Sequence, residues 1–225
     1  MCGRFTLTAT LTEILNRFDI EEFFDEENFL PNYNVAPSQL VLAIINNRTI
    51  NKMGYLRWGL IPPWAKDITL GSKMINARSE TILEKPSFRD PFRRKRCLIV
   101  ADSFYEWKRI DAKTKTPMRI RLKSNDLFGM AGLWEQWKTP DGKSIFTCTV
   151  ITTTPNTLME RIHDRMPVIL KPEDEKIWLD PTNNDLGQLT QLLQPLDPDL
   201  MEAYEVSSLV NSPKNNSIEL IQKIC

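Results

Sequence analysis

Cys97-Leu98-Ile99-Val100-Ala101 and, after Asp102, Ser103-Phe104-Tyr105-Glu106-Trp107-Lys108 decide the fold class. Both read as strands. In the second, alternation puts Phe104, Glu106 and Lys108 on one face and Tyr105 and Trp107 on the other. Working outward, residues 39–46 (QLVLAIIN) form a buried strand, and Asn46-Asn47 makes a hairpin turn into 49–58. Residues 117–123 alternate as well, with Met118, Ile120 and Leu122 inward and Arg119, Arg121 and Lys123 on a solvated face. Residues 127–134 and 145–152 pair around Pro140-Asp141-Gly142, residue types that favour a tight turn. Residues 204–210 (YEVSSLV) supply a late strand.

Helical signals are short and lie between the strands. Thr10-Leu11-Thr12-Glu13 is a capping box, and the spacing of Leu11, Ile14, Leu15 and Phe18 predicts a helix over 11–18. The acidic stretch Asp19–Glu27 continues as a solvated helix or loop, and Asn32–Pro37 is extended or turning. Thr154-Pro155 offers a cap and a first-turn proline to a helix ending near Ile162, which presents His163-Asp164-Arg165-Met166-Pro167. Pro172 opens a helix containing Trp178, and Leu186, Leu189 and Leu193 mark another before Pro195. Trp58-Gly59-Leu60-Ile61-Pro62-Pro63-Trp64 is an aromatic loop. In Met74–Glu80 an extended chain puts Asn76, Arg78 and Glu80 on one face.

Together these give an α+β protein: one domain over residues 2–210 with a distorted, mainly antiparallel, barrel-like core and short peripheral helices, then a loose C-terminal tail at 211–225. Irregular strand spacing and breaks at Pro62, Pro63, Pro117 and Pro140 suit a barrel better than a doubly wound sheet.

The 225 residues are 41% hydrophobic and 26% charged, the balance of an ordinary globular protein. No apolar run reaches the ~18 residues of a membrane span. No secretory signal is visible, so a reducing, cytoplasmic setting is expected. Cys2, Cys97, Cys148 and Cys225 are far apart and His163 is the single histidine, which argues against a zinc cluster; no metal or other cofactor is expected. With 29 basic and 29 acidic residues the chain is not built to grip long duplex DNA by bulk charge. The charge is uneven, however: residues 19–27 hold six acids, and Arg89, Arg93, Arg94, Lys95 and Arg96 crowd into eight positions.

The chemistry points to the other end of the chain. Met1-Cys2-Gly3-Arg4 would, on loss of Met1, begin with a 1,2-aminothiol. Its amine (pKa about 7.7–8.0) condenses with an aldehyde, and its thiol (about 8.5) closes a five-membered thiazolidine. The plain alternative is that Cys2 only opens a buried strand. If Cys2 is a nucleophile, Glu106 among aromatic neighbours is a candidate proton shuttle, or else a structural ion-pair partner. His163 could handle the second oxygen, or simply satisfy a helix end. Asn34 or Asn76 could orient a carbonyl. Arg4, Arg78 and Arg165 could seat phosphates, and Trp64 and Trp107 could stack on bases.

Six blocks, met in order, carry a resemblance: Met1–Arg4, Tyr33-Asn34-Val35-Ala36-Pro37, Trp58–Pro62, Asn76-Ala77-Arg78-Ser79-Glu80, Phe104–Trp107 and His163–Pro167. Over residues 2–210 the chain resembles the SOS-response-associated peptidase (SRAP) family. The resemblance implies a protein that crosslinks to abasic sites in single-stranded DNA through Cys2, with Asn76, Glu106 and His163 around it. It implies phosphate contacts at Arg4, Arg78 and Arg165, and packing on bases or sugar at Pro37, Trp64 and Trp107. N-terminal self-processing, a lyase-type side activity, a place at the nucleoid and a monomeric state fit the same picture. Ser103, where glycine is expected, and the acidic block depart from the family pattern. Two rivals stand beside it. One is an N-terminal-nucleophile amidohydrolase or cysteine peptidase, which would turn over. The other is a non-covalent DNA-binding module, which would not need Cys2.

Overall fold

The two strands that decided the fold class part company at Asp102 and enter different sheets. The computed structural model describes residues 2–23 and 29–224. In chain order the elements are β1 (Phe5–Leu7), α1 (Leu11–Phe18), β2 (Glu22–Phe23), β3 (Asn32–Val35), β4 (Leu40–Asn46), β5 (Asn51–Trp58) and β6 (Asn76–Arg78). There follow α2 (Pro86–Arg94), β7 (Arg96–Ala101), β8 (Ser103–Arg109), β9 (Lys115–Leu122), β10 (Phe128–Lys138) and β11 (Ser144–Thr153). The chain ends with β12 (Met166–Pro167), α3 (Pro172–Leu179), α4 (Leu186–Gln191) and β13 (Met201–Glu205).

One sheet runs β13-β9-β8-β1-β3, all antiparallel. The other runs β12-β11-β10-β7-β4-β5-β2, and a parallel seam between β11 and β5 (Thr147 beside Arg57, Cys148 beside Trp58) closes five of its strands into a barrel. The expected barrel-like α+β fold is therefore present. The central strand β7 is apolar on both faces. On β7, Cys97, Ile99 and Ala101 join the cluster shared with the five-stranded sheet, whereas Leu98 and Val100 join the one packed under the helices with Ile14, Phe92 and Trp178. Burial on both sides explains the unbroken hydrophobic run.

The capping box forms as expected: Glu13 N donates to Thr10 Oγ1 and Thr10 N to Glu13 Oε2. The helix does not continue into the acidic stretch. Asp19 caps it at a left-handed φ of 52°, and Glu22–Phe23 pairs with β5; residues 24–28 lie outside the described residues.

Several expectations are corrected. Arg119 is not on a solvated face but is 6% exposed, because β13 and the C-terminal segment cover β9. Its Nε donates to Ser103 Oγ (2.7 Å), Nη1 donates to the Tyr204 hydroxyl (2.7 Å), and Nη2 lies 3.6 Å from Asp102. Ser103, the departure from glycine, thus supplies a buried hydroxyl to a buried arginine. Residues 154–162 are not a helix capped by Thr154. Only Met159–Arg161 makes a 3-10 turn, with Asn156 Oδ1 accepting from Met159 N. The late strand lies at 201–205 rather than 204–210, and Ser208–Asn211 is a 3-10 turn.

Nor are residues 211–224 loose. Leu220 is fully buried beside Tyr105 and Val206, and Val206 bridges to Lys223. The Tyr105 hydroxyl donates to Tyr33 O (3.0 Å) and Leu220 O (3.3 Å). Leu220→Ala should therefore cost about 2–4 kcal/mol in denaturant unfolding, as a core truncation does. A loose tail would show no change.

Candidate functional site

The pairing of β1 with β8 assembles the site. Phe5 lies opposite Phe104 and Thr6 opposite Ser103, and Tyr105 N donates to Arg4 O (2.9 Å). Continuing that register brings Gly3 opposite Glu106, so Cys2 reaches the segment of β8 that carries the carboxyl. The corner preceding β8 is fixed by Asp102, which accepts from the hydroxyls of Thr6 and Thr8 and from Thr8 N.

Cys2 is fully buried. Its carbonyl accepts a hydrogen bond from Asn76 Nδ2 at 2.8 Å. Asn76 is delivered by β6, which runs parallel to β11 with Asn76 beside Val150. The preceding loop folds back because Gly59 takes a φ of 126° and approaches Gly71 so closely that a Cβ would lie 2.6 Å from its carbonyl oxygen. Only glycine fits there. Among the described residues the buried Asn76 Oδ1 has no hydrogen-bond partner, which leaves an acceptor beside Cys2.

Glu106 is 3% exposed, and burial pushes its carboxyl up to about 7. The Cys2 thiol is pushed up by the same burial and then by the Glu106 charge. His163 Nε2 stands 3.8 Å from Glu106 Oε2. The Arg165 backbone N–H donates to His163 Nδ1 (3.0 Å), which holds the ring with Nε2 toward Glu106. Burial lowers the His163 pKa, so the ring is neutral at pH 7; Asp164, 2.9 Å from Nδ1, opposes that shift. The four expected catalytic residues are thus brought together: a thiol, an amide, a carboxyl poised near neutrality and a neutral imidazole. A cleft of about 730 Å³ lined by Thr8, Asp102, Arg119 and Arg121 includes none of them.

The expected DNA contacts divide. Arg4 Nη1 donates to Asn34 Oδ1 (2.7 Å) and Val210 O (2.7 Å), and its guanidinium lies 5.7 Å from the Trp107 ring centroid. Asn34 is 1% exposed, with Nδ2 directed at the carbonyls of Val210, Ser212 and Asn215. It braces Arg4 from beneath. Trp107 Nε1 donates to Asn211 Oδ1 (2.7 Å). Arg165 is 8% exposed, and the fork expected to seat a phosphate closes on Glu80 (2.5 and 2.9 Å) and Thr152 O (2.6 Å). Glu80 does not share the face of Asn76 and Arg78, because β6 ends at Arg78 and Glu80 sits in a 3-10 turn. Arg78 is exposed, Pro37 is half-buried, and Trp64 is 61% exposed at the tip of its loop. Sequence reading missed the Glu80–Arg165 clamp and the C-terminal brace on Asn34; both partners are distant in sequence, and no local pattern announces them.

Among the described residues no group of three His, Cys, Asp or Glu side chains is placed to hold a metal, and no helix is long and apolar enough to cross a membrane.

Comparison with known proteins agrees with the motif pattern. The family profile described as SOS response associated peptidase (SRAP) matches residues 1–213. The abasic site processing protein YoqW of Bacillus subtilis is 64% identical over 99% of each chain. The abasic site processing protein HMCES of Xenopus tropicalis is 31% identical over 89% of this chain and 68% of that one. A crystal structure of a protein from Bacteroides thetaiotaomicron, 28% identical, superposes over the full length of both chains with a TM-score of 0.89.

The raised pKa of Glu106 has a consequence for stability. Folding holds a proton on this carboxyl between its unfolded pKa near 4.5 and about 7, so the cost of burying its charge grows as pH rises through that window. Glu106→Gln should raise the melting temperature at pH 8, by the equivalent of roughly 2–3 kcal/mol, with the gain fading toward pH 5. A gain of equal size at both pH values would show that the carboxyl titrates normally.

Proposed function

Since the chain belongs to the SRAP family, we propose that it captures abasic sites in single-stranded DNA as a covalent thiazolidine on Cys2. The observation that carries this reading is the placement of Cys2 in hydrogen-bond contact with Asn76, next to a buried Glu106 whose carboxyl titrates near neutrality. Relatives named abasic site processing proteins supply the substrate class. Met1 lies outside the described residues, and the reaction requires its removal.

An abasic deoxyribose is in equilibrium with its ring-opened C1′ aldehyde. His163, once it has taken up a proton, gives it to the ring oxygen as the sugar opens, and the Glu106 carboxylate takes the proton of the C1′ hydroxyl. The Cys2 α-amine adds to C1′ to give a carbinolamine. Protonated Glu106 donates to its hydroxyl, which leaves as water, and an iminium forms. The Cys2 sulfur then bonds to C1′, its proton passes to the Glu106 carboxylate, and the iminium electron pair returns to nitrogen. The ring is closed with loss of a single water. Ring closure removes the iminium that would acidify the C2′ protons and cleave the strand by β-elimination. Asn76 holds the Cys2 carbonyl, and its open Oδ1 accepts from the liberated amine, a positioning effect that can lower a barrier by several kcal/mol. Arg4 and Arg78 engage phosphates, Arg165 stays on Glu80 and holds the turn beside Arg78, and Pro37, Trp64 and Trp107 pack on sugar and bases. Self-processing ahead of Cys2, a lyase-type side reaction, a monomeric state and work at the cytoplasmic nucleoid belong to the same proposal.

The test is a denaturing gel with an oligonucleotide carrying one abasic site. Wild-type protein should give a one-to-one covalent shift. Cys2→Ala should give none, and Glu106→Gln should slow both formation and release by about 10²-fold or more, the scale of general acid–base catalysis. A shift that persists in Cys2→Ala, turnover without any shift, or no shift and no turnover would overturn the reading in favour of another nucleophile, an amidohydrolase or a non-covalent binding module respectively.

A further inference from the structure

The basic run at 89–96 is not absorbed by the site. Two of its five side chains are structural. Arg96 is 4% exposed and donates to the carbonyls of Phe92, Arg93, Trp178, Asp180 and Asn183, joining α2 to α3 and the loop after it. Lys95 closes on the Glu135 carboxylate. Arg89, Arg93 and Arg94 are exposed, and so is Lys85 at the N-cap of α2. Lys85, Arg89 and Arg93 recur every fourth residue. They therefore form one row along the helix, about 6 Å apart along its axis.

The N-terminal end of this row is built against the helix's own stability, although Arg93, in the last turn, suits the dipole. α1 begins with a capping box and an acid in its first turn, whereas α2 has a lysine at the N-cap, no side-chain cap and no acid in its first turn. A cation at the positive end of a helix is unfavourable, and like charges four residues apart repel. The nearby acids do not neutralise the row: Glu84 and Asp90 are exposed, and the contact from Arg89 Nε to Asp90 is a loose 3.7 Å. A helix that needed only a solvated face would do better with an acid at position 85. The row is also joined to the site. The chain leaves β6 at the exposed Arg78, passes the turn that Glu80 pins to Arg165, and reaches Lys85 seven residues on.

We propose that Lys85, Arg89 and Arg93 form a second anion track, which binds the phosphodiester backbone of DNA flanking the captured nucleotide. The inference rests on DNA being the partner, as read above, and adds a surface outside the reactive centre. The recognised chemistry is a line of phosphates, supplied by a single-stranded extension or by a duplex arm.

The test uses oligonucleotides carrying an abasic analogue that lacks the aldehyde, so that binding is read without crosslinking. A short probe spans the lesion and its immediate neighbours. One long probe extends it as a single strand and another as a duplex arm. For the Arg89→Gln/Arg93→Gln variant the long-probe salt dependence should become shallower, by about 0.7 in log–log slope per lost contact on a single strand or about 0.9 on a duplex. The advantage of the long over the short probe should fall in step, and whichever long probe responds identifies the source of the phosphates. Lys85→Asp should raise the melting temperature, by capping α2, while weakening long-probe binding. Slopes that ignore the arginines on both long probes, or a Lys85→Asp protein that binds the long probes as wild type does, would overturn the proposal. A wild-type protein that forms no covalent product with a reactive abasic strand would instead sink the crosslinking reading, and the slopes measured on the unreactive probes would still decide this one.

Discussion

The antiparallel pairing of β1 with β8 is the constraint on which the rest depends. β1 is three residues long, yet it carries Cys2 across to the strand that holds Glu106 and buries both in one apolar neighbourhood. That burial raises the thiol and the carboxyl together. A carboxyl held near neutrality can give and take a proton at working pH, which an exposed glutamate cannot do. The desolvation that makes this group costly to bury is also what suits it to the acid–base role proposed for it.

Around this pairing the two sheets act as a rigid mount. The closed barrel supplies β11, and β11 aligns β6 with Asn76 on one side and β12 with the His163 loop on the other. The Glu80–Arg165 ion pair ties those two attachments to each other, and the Arg165 backbone N–H holds the His163 ring at Nδ1. On the opposite flank the C-terminal segment holds Asn34, and through it Arg4, against Trp107.

How much of this could be read from the sequence depended on the range of the interaction. Local devices were legible: the Thr10–Glu13 box, the turn at Pro140–Gly142 and the helix opened by Pro172 all form. Strand alternation correctly placed Ile120 inside, but it cannot reveal whether a second layer covers the other face, so Arg119 was misplaced. The Thr154-Pro155 signal was overridden because Thr153 is still paired in β11 and Asn156 caps the later turn. The C-terminal segment looked loose because its anchors, Asn34 and Tyr105, lie more than a hundred residues upstream. Cys2, Asn76, Glu106 and His163 were nameable from chemistry and from the motif pattern, and the structure brings all four together. The braces behind them were not, since a buried ion pair such as Glu80–Arg165 leaves no periodic trace.

The most direct measurement is the composition of the bond itself. Protein reacted with an abasic oligonucleotide is digested with protease and nuclease, and the N-terminal peptide is weighed. A thiazolidine predicts a peptide that begins at Cys2 and carries the sugar fragment less a single water, with no alkylatable thiol and no mass gain on borohydride treatment. An adduct on a lysine, or a Cys2 peptide that still alkylates or gains two hydrogens on reduction, would contradict it.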